Sequence, residues 1–280
     1  MSGCTLNVAS SGSNAVFSGA GATITVSDTT IDNKCTGNSR GLHATYGGTI
    51  NASGMTITTA GKSCAAVATD RGGGYVNLTG SATAMNTLTT TGQDSPCLYS
   101  TGVIKAAYVT GSASQAQAMV IEGSNVIKVE NSTPSGKNHS SSAAVDWGAI
   151  MLYQSMSNDS VGGKPVVELI DTTITNLDSA APMFYITNAD ATIYLSGKTF
   201  DNTAGNGEFL DTTTRWTSTD ETAEFHIKAL TLGTLKVNLA NSPTSVLKTT
   251  LYDSASVTWN NSGSGKVNTS TTGSSWTLPY

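Results

Sequence analysis

Charged residues are scarce in this chain of 280 residues. Asp, Glu, Lys and Arg together make up 12% of the sequence, about half of their usual share in soluble domains. The 14 Lys and Arg residues are outnumbered by 19 Asp and Glu residues, and the net charge is −5. Proteins that bind nucleic acid need clustered cations to neutralise the phosphates. We therefore expect no nucleic-acid partner.

Long apolar runs and strong helix formers are also lacking. No segment approaches the roughly 18 apolar residues of a transmembrane helix, so we expect no membrane span. Aromatic residues make up only 6%, and the charged helix formers are few. What the chain does contain is Ser, Thr, Gly and β-branched residues, with 38% hydrophobic residues overall. This composition favours short strands joined by tight turns, and it is too apolar for disorder.

A repeated pattern runs along most of the chain. Residues 42–45 precede a Gly-rich strand pattern at 47–54, and residues 66–69 precede a similar one at 73–80. Within single strands, polar and apolar residues alternate, as Thr25 does between Ile24 and Val26. Units this small bury their apolar side chains only by stacking on one another. We align one position of successive units at Thr69, Thr101, Glu122, Gln154 and Thr187.

The stacked units predict an all-β fold, a right-handed parallel β-helix with terminal caps. We expect an N-terminal cap at 1–16, the helix at 17–260 and a C-terminal cap strand at 261–280. Unequal repeat lengths indicate insertions, which we place at 131–144 and 157–165. An antiparallel sandwich is the alternative architecture, although it would call for sharper hairpin turns.

Four segments carry a resemblance to a known family: residues 68–74, 94–102, 119–125 and 150–157. They resemble right-handed parallel β-helix proteins of the pectin-lyase-like superfamily, and more closely the adhesin-like surface and secreted β-helix proteins of microbes. The resemblance covers about residues 15–260. It implies the architecture, and it leaves the activity open because this fold supports many functions.

The four cysteines all lie in the first third of the chain. Cys4, Cys35, Cys64 and Cys97 are spaced at close to one repeat, so neighbours are disulfide candidates if the units stack. Four cysteines allow three pairings, and buried free thiols are the alternative. None has Cys-x-x-Cys spacing, and no metal site or cofactor is expected.

Carboxylates beside a cation are the groups with which pectin-active β-helices work. The candidates here are Asp70, Arg71 and Glu122, because the alignment puts Glu122 in one column with Thr69 and Thr101, and Asp70 and Arg71 at its edge. Two carboxylates 5 to 9 Å apart suit a glycosidase. The alternative is a turn with a local ion pair at Asp70 and Arg71.

Aromatic residues become denser in the middle of the chain and supply a second set of candidates. Asp146, Trp147 and Tyr153 are the candidate ligand-binding residues, since exposed rings stack on sugars. Trp147 could equally plug the core beneath the long insertion.

The main hypothesis is a non-enzymatic, secreted or cell-surface β-solenoid that acts as an adhesin-like or structural module. The alternatives are a polysaccharide-active lyase or glycosidase, and a subunit that associates end to end into an extracellular filament. Residues 1–8 contain no hydrophobic segment of a signal peptide, whereas the Ser/Thr-rich composition is typical of extracellular proteins. The expected partners are glycans or a host or cell surface.

Overall fold

The structure is a computed structural model. It describes residues 1–137, 148–155, 159–197, 200–201, 205, 207–212, 221–239, 244–274 and 276.

Over the residues that the structure describes, the chain winds through ten coils of short strands. Each of the first seven coils contains three strands, and each of the last three contains two. Coil by coil, the strands are β1 (Thr5–Val8), β2 (Val16–Ser18), β3 (Thr23–Ser27); β4 (Thr30–Asn33), β5 (Leu42–Thr45), β6 (Gly48–Ser53); β7 (Thr56–Thr59), β8 (Val67–Asp70), β9 (Gly74–Thr79); β10 (Asn86–Thr90), β11 (Leu98–Ser100), β12 (Val103–Ala107); β13 (Val109–Ala113), β14 (Met119–Glu122), β15 (Val126–Glu130); β16 (Thr133–Gly136), β17 (Ile150–Tyr153), β18 (Val166–Ile170); β19 (Thr175–Asn176), β20 (Phe184–Thr187), β21 (Ala191–Ser196); β22 (Glu208–Asp211), β23 (Thr222–Lys228); β24 (Thr231–Asn238), β25 (Val246–Tyr252); and β26 (Ser256–Asn261), β27 (Lys266–Thr271).

The strands form three stacked sheets; sheets 2 and 3 extend through all ten coils, and sheet 1 extends through the first seven. Sheet 1 contains seven strands in the order β1-β4-β7-β10-β13-β16-β19. Sheet 2 contains ten in the order β2-β5-β8-β11-β14-β17-β20-β22-β24-β26, and sheet 3 contains the remaining ten, from β3 to β27. Each strand pairs in parallel with the corresponding strand of the next coil, for example β6 with β9 and β12 with β15. The coils therefore rise by about 4.8 Å each, the spacing of hydrogen-bonded strands.

The core is a set of aliphatic ladders inside the coils. Because pairing is parallel and in register, one inward position repeats from coil to coil. In sheet 3 this position is occupied by Ile24, Ile50, Val76, Ile104, Ile127, Val167, Ile193 and Phe225. From Ile50 to Phe225 these side chains are fully buried. Burial of this kind is the main term that stabilises a stack of small units.

Aromatic rings fill the interior where sheet 1 ends. Five rings pack edge to face or tilted, at centroid distances from 5.1 to 6.0 Å, which is the preferred range for such pairs. They are Phe184, Phe200, Phe209, Phe225 and Trp259. The larger side chains supply the volume that a third layer of strands supplies in the earlier coils.

The predicted all-β parallel β-helix is confirmed. The pairings between the strands listed above are all parallel, which contradicts the antiparallel sandwich. The segments predicted as caps also contribute to the sheets, since β1 pairs with β4 and β27 pairs with β25. The predicted insertion at 131–144 begins instead with strand β16, and residues 138–144 lie outside the described part of the chain.

Replacing Leu88 by Ala tests the ladder in sheet 1. Leu88 is fully buried and lies between Ile57 and Gly111 of the adjacent coils. We expect Leu88→Ala to lower the free energy of unfolding by about 2–5 kcal/mol, because it removes buried methyl groups and leaves a cavity. Urea denaturation measures the change. The matched control is Thr87→Ala on the exposed side of the same strand, expected to stay within about 0.5 kcal/mol. Equal losses of stability in the two variants would contradict the alternation of buried and exposed side chains along β10.

Candidate functional site

Three of the candidate residues, Asp70, Glu122 and Tyr153, lie along the outer face of sheet 2. Register places one position of successive coils in a line that we call the Glu122 row. It consists of Thr45, Asp70, Thr101, Glu122, Tyr153 and Thr187. Asp70 and Glu122 are thus two coils apart, about 10 Å along the sheet.

The predicted alignment is wrong by one residue at two positions. Thr69 is fully buried, and its hydroxyl lies 3.3 Å from that of Ser100 inside the coil. Asp70, rather than Thr69, shares the row with Glu122, and Tyr153 takes the place given to Gln154. A shift of one residue along a strand moves every side chain to the opposite face. The correction therefore brings both candidate carboxylates onto one face.

Glu122, the last residue of β14, has a carboxylate saturated with hydrogen bonds. It is 1% exposed. Tyr99 and Tyr153 donate from their hydroxyls to Oε2 at 2.7 and 2.8 Å. Ser155 and Ser160 donate to Oε1, the latter at 3.3 Å. With two donors on each oxygen, the charge is compensated by hydroxyl dipoles, as a buried carboxylate requires.

Both tyrosines remain neutral donors to this carboxylate. Burial raises the pKa of Tyr99 well above its ordinary value, and the neighbouring Tyr153 and Glu122 raise it further. Burial likewise raises the pKa of Tyr153, followed by the negative charge of Glu122. Each phenol therefore keeps its proton and donates it in a hydrogen bond to Glu122. This arrangement makes Glu122 a structural acceptor and places Tyr153 in its network.

The loop between β17 and β18 folds back over this network. The backbone N–H of Ser124 donates to the carbonyl of Val161 at 2.9 Å. Gly123 has a positive φ of 67°, and a Cβ there would collide with the same carbonyl, so only glycine lets the loop approach. In the same loop, Asp159 forms an ion pair with Arg71 at 3.3 Å. The loop from coil 6 thereby reaches coil 3.

A polar cleft of about 290 Å³ lies beside the network, at coils 2 to 4. It is lined by residues of the turns that enter and leave sheet 2, together with Tyr99 from the middle of β11. Its charged and aromatic groups are Arg40, Asp70, Arg71, Asp94, Tyr99 and Asp159. Two guanidinium groups and three carboxylates thus converge in a chain that has few charges.

Asp70 is the most constrained carboxylate of the cleft. Its Oδ2 lies 3.5 Å from the guanidinium of Arg40 and 3.7 Å from Nε2 of His43. Burial alone would raise the pKa of this carboxyl. The imidazole of His43, the backbone N–H of Arg71 at 2.9 Å and the charge of Arg40 outweigh burial and hold the pKa below its ordinary value. Asp70 is therefore ionised at neutral pH and oriented by its neighbours.

Two exposed aromatic rings pack on residues that adjoin Asp70 and Arg71 of the cleft. Phe17 is 52% exposed and meets His43 edge to face at 5.4 Å. Tyr46 is 62% exposed, its ring packs over Gly72, and its backbone N–H donates to the carbonyl of Arg71 at 3.1 Å. Large exposed apolar groups beside a polar depression are typical of ligand-binding surfaces.

The structure brings together only part of the predicted site. Asp70 and Arg71 line the cleft, while Glu122 lies buried beside it. Asp146 and Trp147 lie outside the described residues. Sequence reasoning missed Arg40 and Asp94, which line the cleft, because their turns could not be placed before the coils were stacked. It also missed His43, which lies 3.7 Å from Asp70, and the exposed rings of Phe17 and Tyr46. A bulky ring at a turn, as in Tyr46 before two glycines, was the one available signal.

All four cysteines are free thiols in the structure. Among the described residues, no group of three or more His, Cys, Asp or Glu side chains is arranged to hold a metal ion. Over the same part of the chain, no helix has the length and apolar character needed to cross a membrane.

In comparisons with known proteins, no family model matches the chain, and no curated protein or solved structure is significantly similar to it. What the protein does has to be inferred from its geometry.

Replacing Glu122 by Gln tests the buried network. The amide keeps the shape but leaves only one accepting oxygen for four hydroxyl donors, so we expect a loss of about 1–3 kcal/mol in the free energy of unfolding. Chemical denaturation measures it. The control is Glu130→Gln, at a partly exposed ion pair with Lys128, expected to cost less than about 1 kcal/mol. An unchanged stability of Glu122→Gln would contradict the described network.

The depressed pKa of Asp70 predicts a pH-dependent stability. Because the folded pKa lies below the unfolded value of about 3.9, the ionised form stabilises the fold at every pH above that value. This contribution disappears as the pH falls through the folded pKa. The stability difference between wild type and Asp70→Asn should therefore be largest at neutral pH and shrink below about pH 4.

The same measurement in an Arg40→Gln background supplies the control. Removing the guanidinium 3.5 Å from Asp70 should reduce the stability difference caused by Asp70→Asn, because the charge of Arg40 is part of what lowers the pKa of Asp70. A difference between wild type and Asp70→Asn that grows on acidification would refute the assignment.

Proposed function

We propose that the protein is a non-enzymatic, adhesin-like β-solenoid of the cell exterior that binds a glycan in the cleft on sheet 2. The observation that carries the proposal is the convergence of Asp70, Arg71 and Asp94 in a cleft, with the exposed rings of Phe17 and Tyr46 packed on the adjoining residues His43 and Gly72. Kinship with the pectin-lyase-like superfamily, and with its adhesin-like members, is part of the proposal and rests on the resemblance of the sequence.

The chemistry of the cleft suits sugar hydroxyls. Carboxylates accept hydrogen bonds from hydroxyl groups and guanidinium groups donate to them, and such charged partners form the stronger bonds. Aromatic rings beside the polar groups offer the flat apolar surface that the face of a sugar ring covers. A volume of about 290 Å³ is at the small end for ligand pockets, which fits one residue of a chain whose neighbours extend over the two exposed rings.

A rigid scaffold supports this role. Parallel pairing in register holds the turns of coils 2, 3 and 4 at fixed spacing, so the charged groups are positioned before a ligand arrives. The ion pairs of Asp70 with Arg40 and of Arg71 with Asp159 orient the side chains further. Preorganisation of this kind lowers the entropy lost on binding.

The enzymatic alternative finds less support in the geometry. A glycosidase needs two carboxylates that reach the scissile bond, and Glu122 is buried with both oxygens occupied. The remaining candidate, Asp70, is held ionised by His43, the backbone N–H of Arg71 and the charge of Arg40, which makes it unsuited to act as a general acid. Release of products from a uronate polymer by the wild type, but not by Glu122→Gln, would favour the enzyme.

A glycan array followed by titration calorimetry tests the proposal. For a glycan that binds the wild type, we expect Asp70→Asn and Tyr46→Ala each to weaken binding by about tenfold or more, since they remove an oriented acceptor and an exposed ring. Tyr75→Ala is the matched control, because Tyr75 is 51% exposed but projects from sheet 3. Failure of every array glycan to bind, or unchanged affinity in both cleft variants, would refute the proposal.

A further inference from the structure

Two buried thiols face each other across neighbouring coils. Cys35 follows β4 and Cys64 follows β7, so both lie in the connections from sheet 1 to sheet 2 in coils 2 and 3. Their sulfurs are 3.4 Å apart. Cys35 is 1% exposed and Cys64 is 0% exposed. The separation is that of sulfur atoms in contact, and only about 1.4 Å more than a disulfide bond.

Backbone hydrogen bonds of the two cysteines help to hold this arrangement in place. The N–H of Cys35 donates to Oδ1 of Asn33 at 3.2 Å, and the N–H of Cys64 donates to Oγ of Ser95 at 2.9 Å. A Cβ at Gly61 would collide with the carbonyl of Cys35, so this glycine permits the close approach of the two connections. The backbone thus presents both sulfurs to each other and requires little movement for a bond between them.

The other two cysteines are placed where they cannot join this pair. Cys4 precedes β1, and its carbonyl accepts from the N–H of Thr30 at the start of β4, whereas Cys35 lies beyond the end of β4. Cys97 directly precedes β11 and points into the coil, where its sulfur would lie 3.4 Å from a Cβ added at Gly111 of sheet 1. Stacking thereby selects one pair from those that the sequence left open.

We propose that Cys35 and Cys64 form an inter-coil disulfide when the protein folds in the presence of a small-molecule disulfide, while Cys4 and Cys97 remain thiols. The thiolate of one cysteine attacks the small disulfide, forms a mixed disulfide and releases one thiolate. The second cysteine then loses its proton, attacks the protein sulfur of the mixed disulfide and releases the second small thiol. Two protein thiols are oxidised, and one small disulfide is reduced to two thiols.

The burial of the pair sets when the bond forms. Burial raises the pKa of the Cys64 thiol to about 11, so the thiolate of Cys64 is scarce in the folded protein at neutral pH. We expect exchange during folding or coil opening, and slow oxidation once the coils have closed. The bond would join two coils directly behind the cleft, since the N–H of Ser39, the neighbour of Arg40, donates to the Cys64 sulfur at 3.4 Å.

The experiment refolds the full chain in a glutathione redox buffer, blocks remaining thiols with an alkylating reagent and digests with trypsin. Each cysteine falls in a different tryptic segment, 1–34, 35–40, 63–71 or 72–105, which makes the pairing readable by mass. We expect two alkylated cysteines per chain and a linked species of segments 35–40 and 63–71. Four alkylated cysteines after oxidative refolding, or a link through Cys4 or Cys97, would overturn the proposal.

Stability supplies a second readout. The oxidised protein should melt about 5–10 °C above the reduced protein, since a cross-link restricts the unfolded chain. Cys64→Ala should abolish both the linked species and the dependence of Tm on reductant, whereas Cys97→Ala should keep both. The mass analysis needs only wild type, so it decides the proposal even if a cysteine variant fails to fold. A Tm that responds to reductant equally in Cys64→Ala would also count against the bond.

Discussion

Parallel pairing of each coil with the next is the constraint on which the rest of this structure depends. Register places equivalent positions of successive coils directly above one another. Side chains of similar polarity at one position therefore form a row along the solenoid. The inward position from Ile24 to Phe225 is the clearest example. Where sheet 1 ends, Phe184, Phe209 and Trp259 replace the missing layer, because the interior must still be filled to close-packed density.

The same constraint explains how a chain with few charges concentrates them. The outside of a coil needs only polar groups, and Thr and Ser supply many of them. On sheet 2, irregular turns and the loop after β17 instead bring groups from coils 2, 3, 4 and 6 together around Asp70 and Glu122. One carboxylate is buried and satisfied by hydroxyls, and the other is held ionised beside a cleft. Position along one row thus separates a buried structural carboxylate from one that lines the cleft.

Sequence reasoning reached the fold and part of the site, and it failed where turn length mattered. Alternation and repetition suffice to predict parallel stacking, and Asp70 and Arg71 were recognised as a pair. The alignment nevertheless placed Thr69 where Asp70 belongs. Turns between strands differ in length from coil to coil, so counting residues does not recover register. Arg40 and Asp94 escaped notice for the same reason, since each reaches the cleft only after neighbouring turns are superposed.

The amino-acid order by itself determined that this chain forms small strands with one apolar side, and that such units must stack, because none can bury its apolar side alone. Only the tertiary structure decided which residues meet. Register decides that Asp70 points outward and Thr69 inward. It also decides that Cys35 contacts Cys64 rather than Cys4, and that Glu122 meets four hydroxyl groups instead of solvent. Register is set by hydrogen bonds between coils, and partners in those bonds are separated by about one full repeat of the chain.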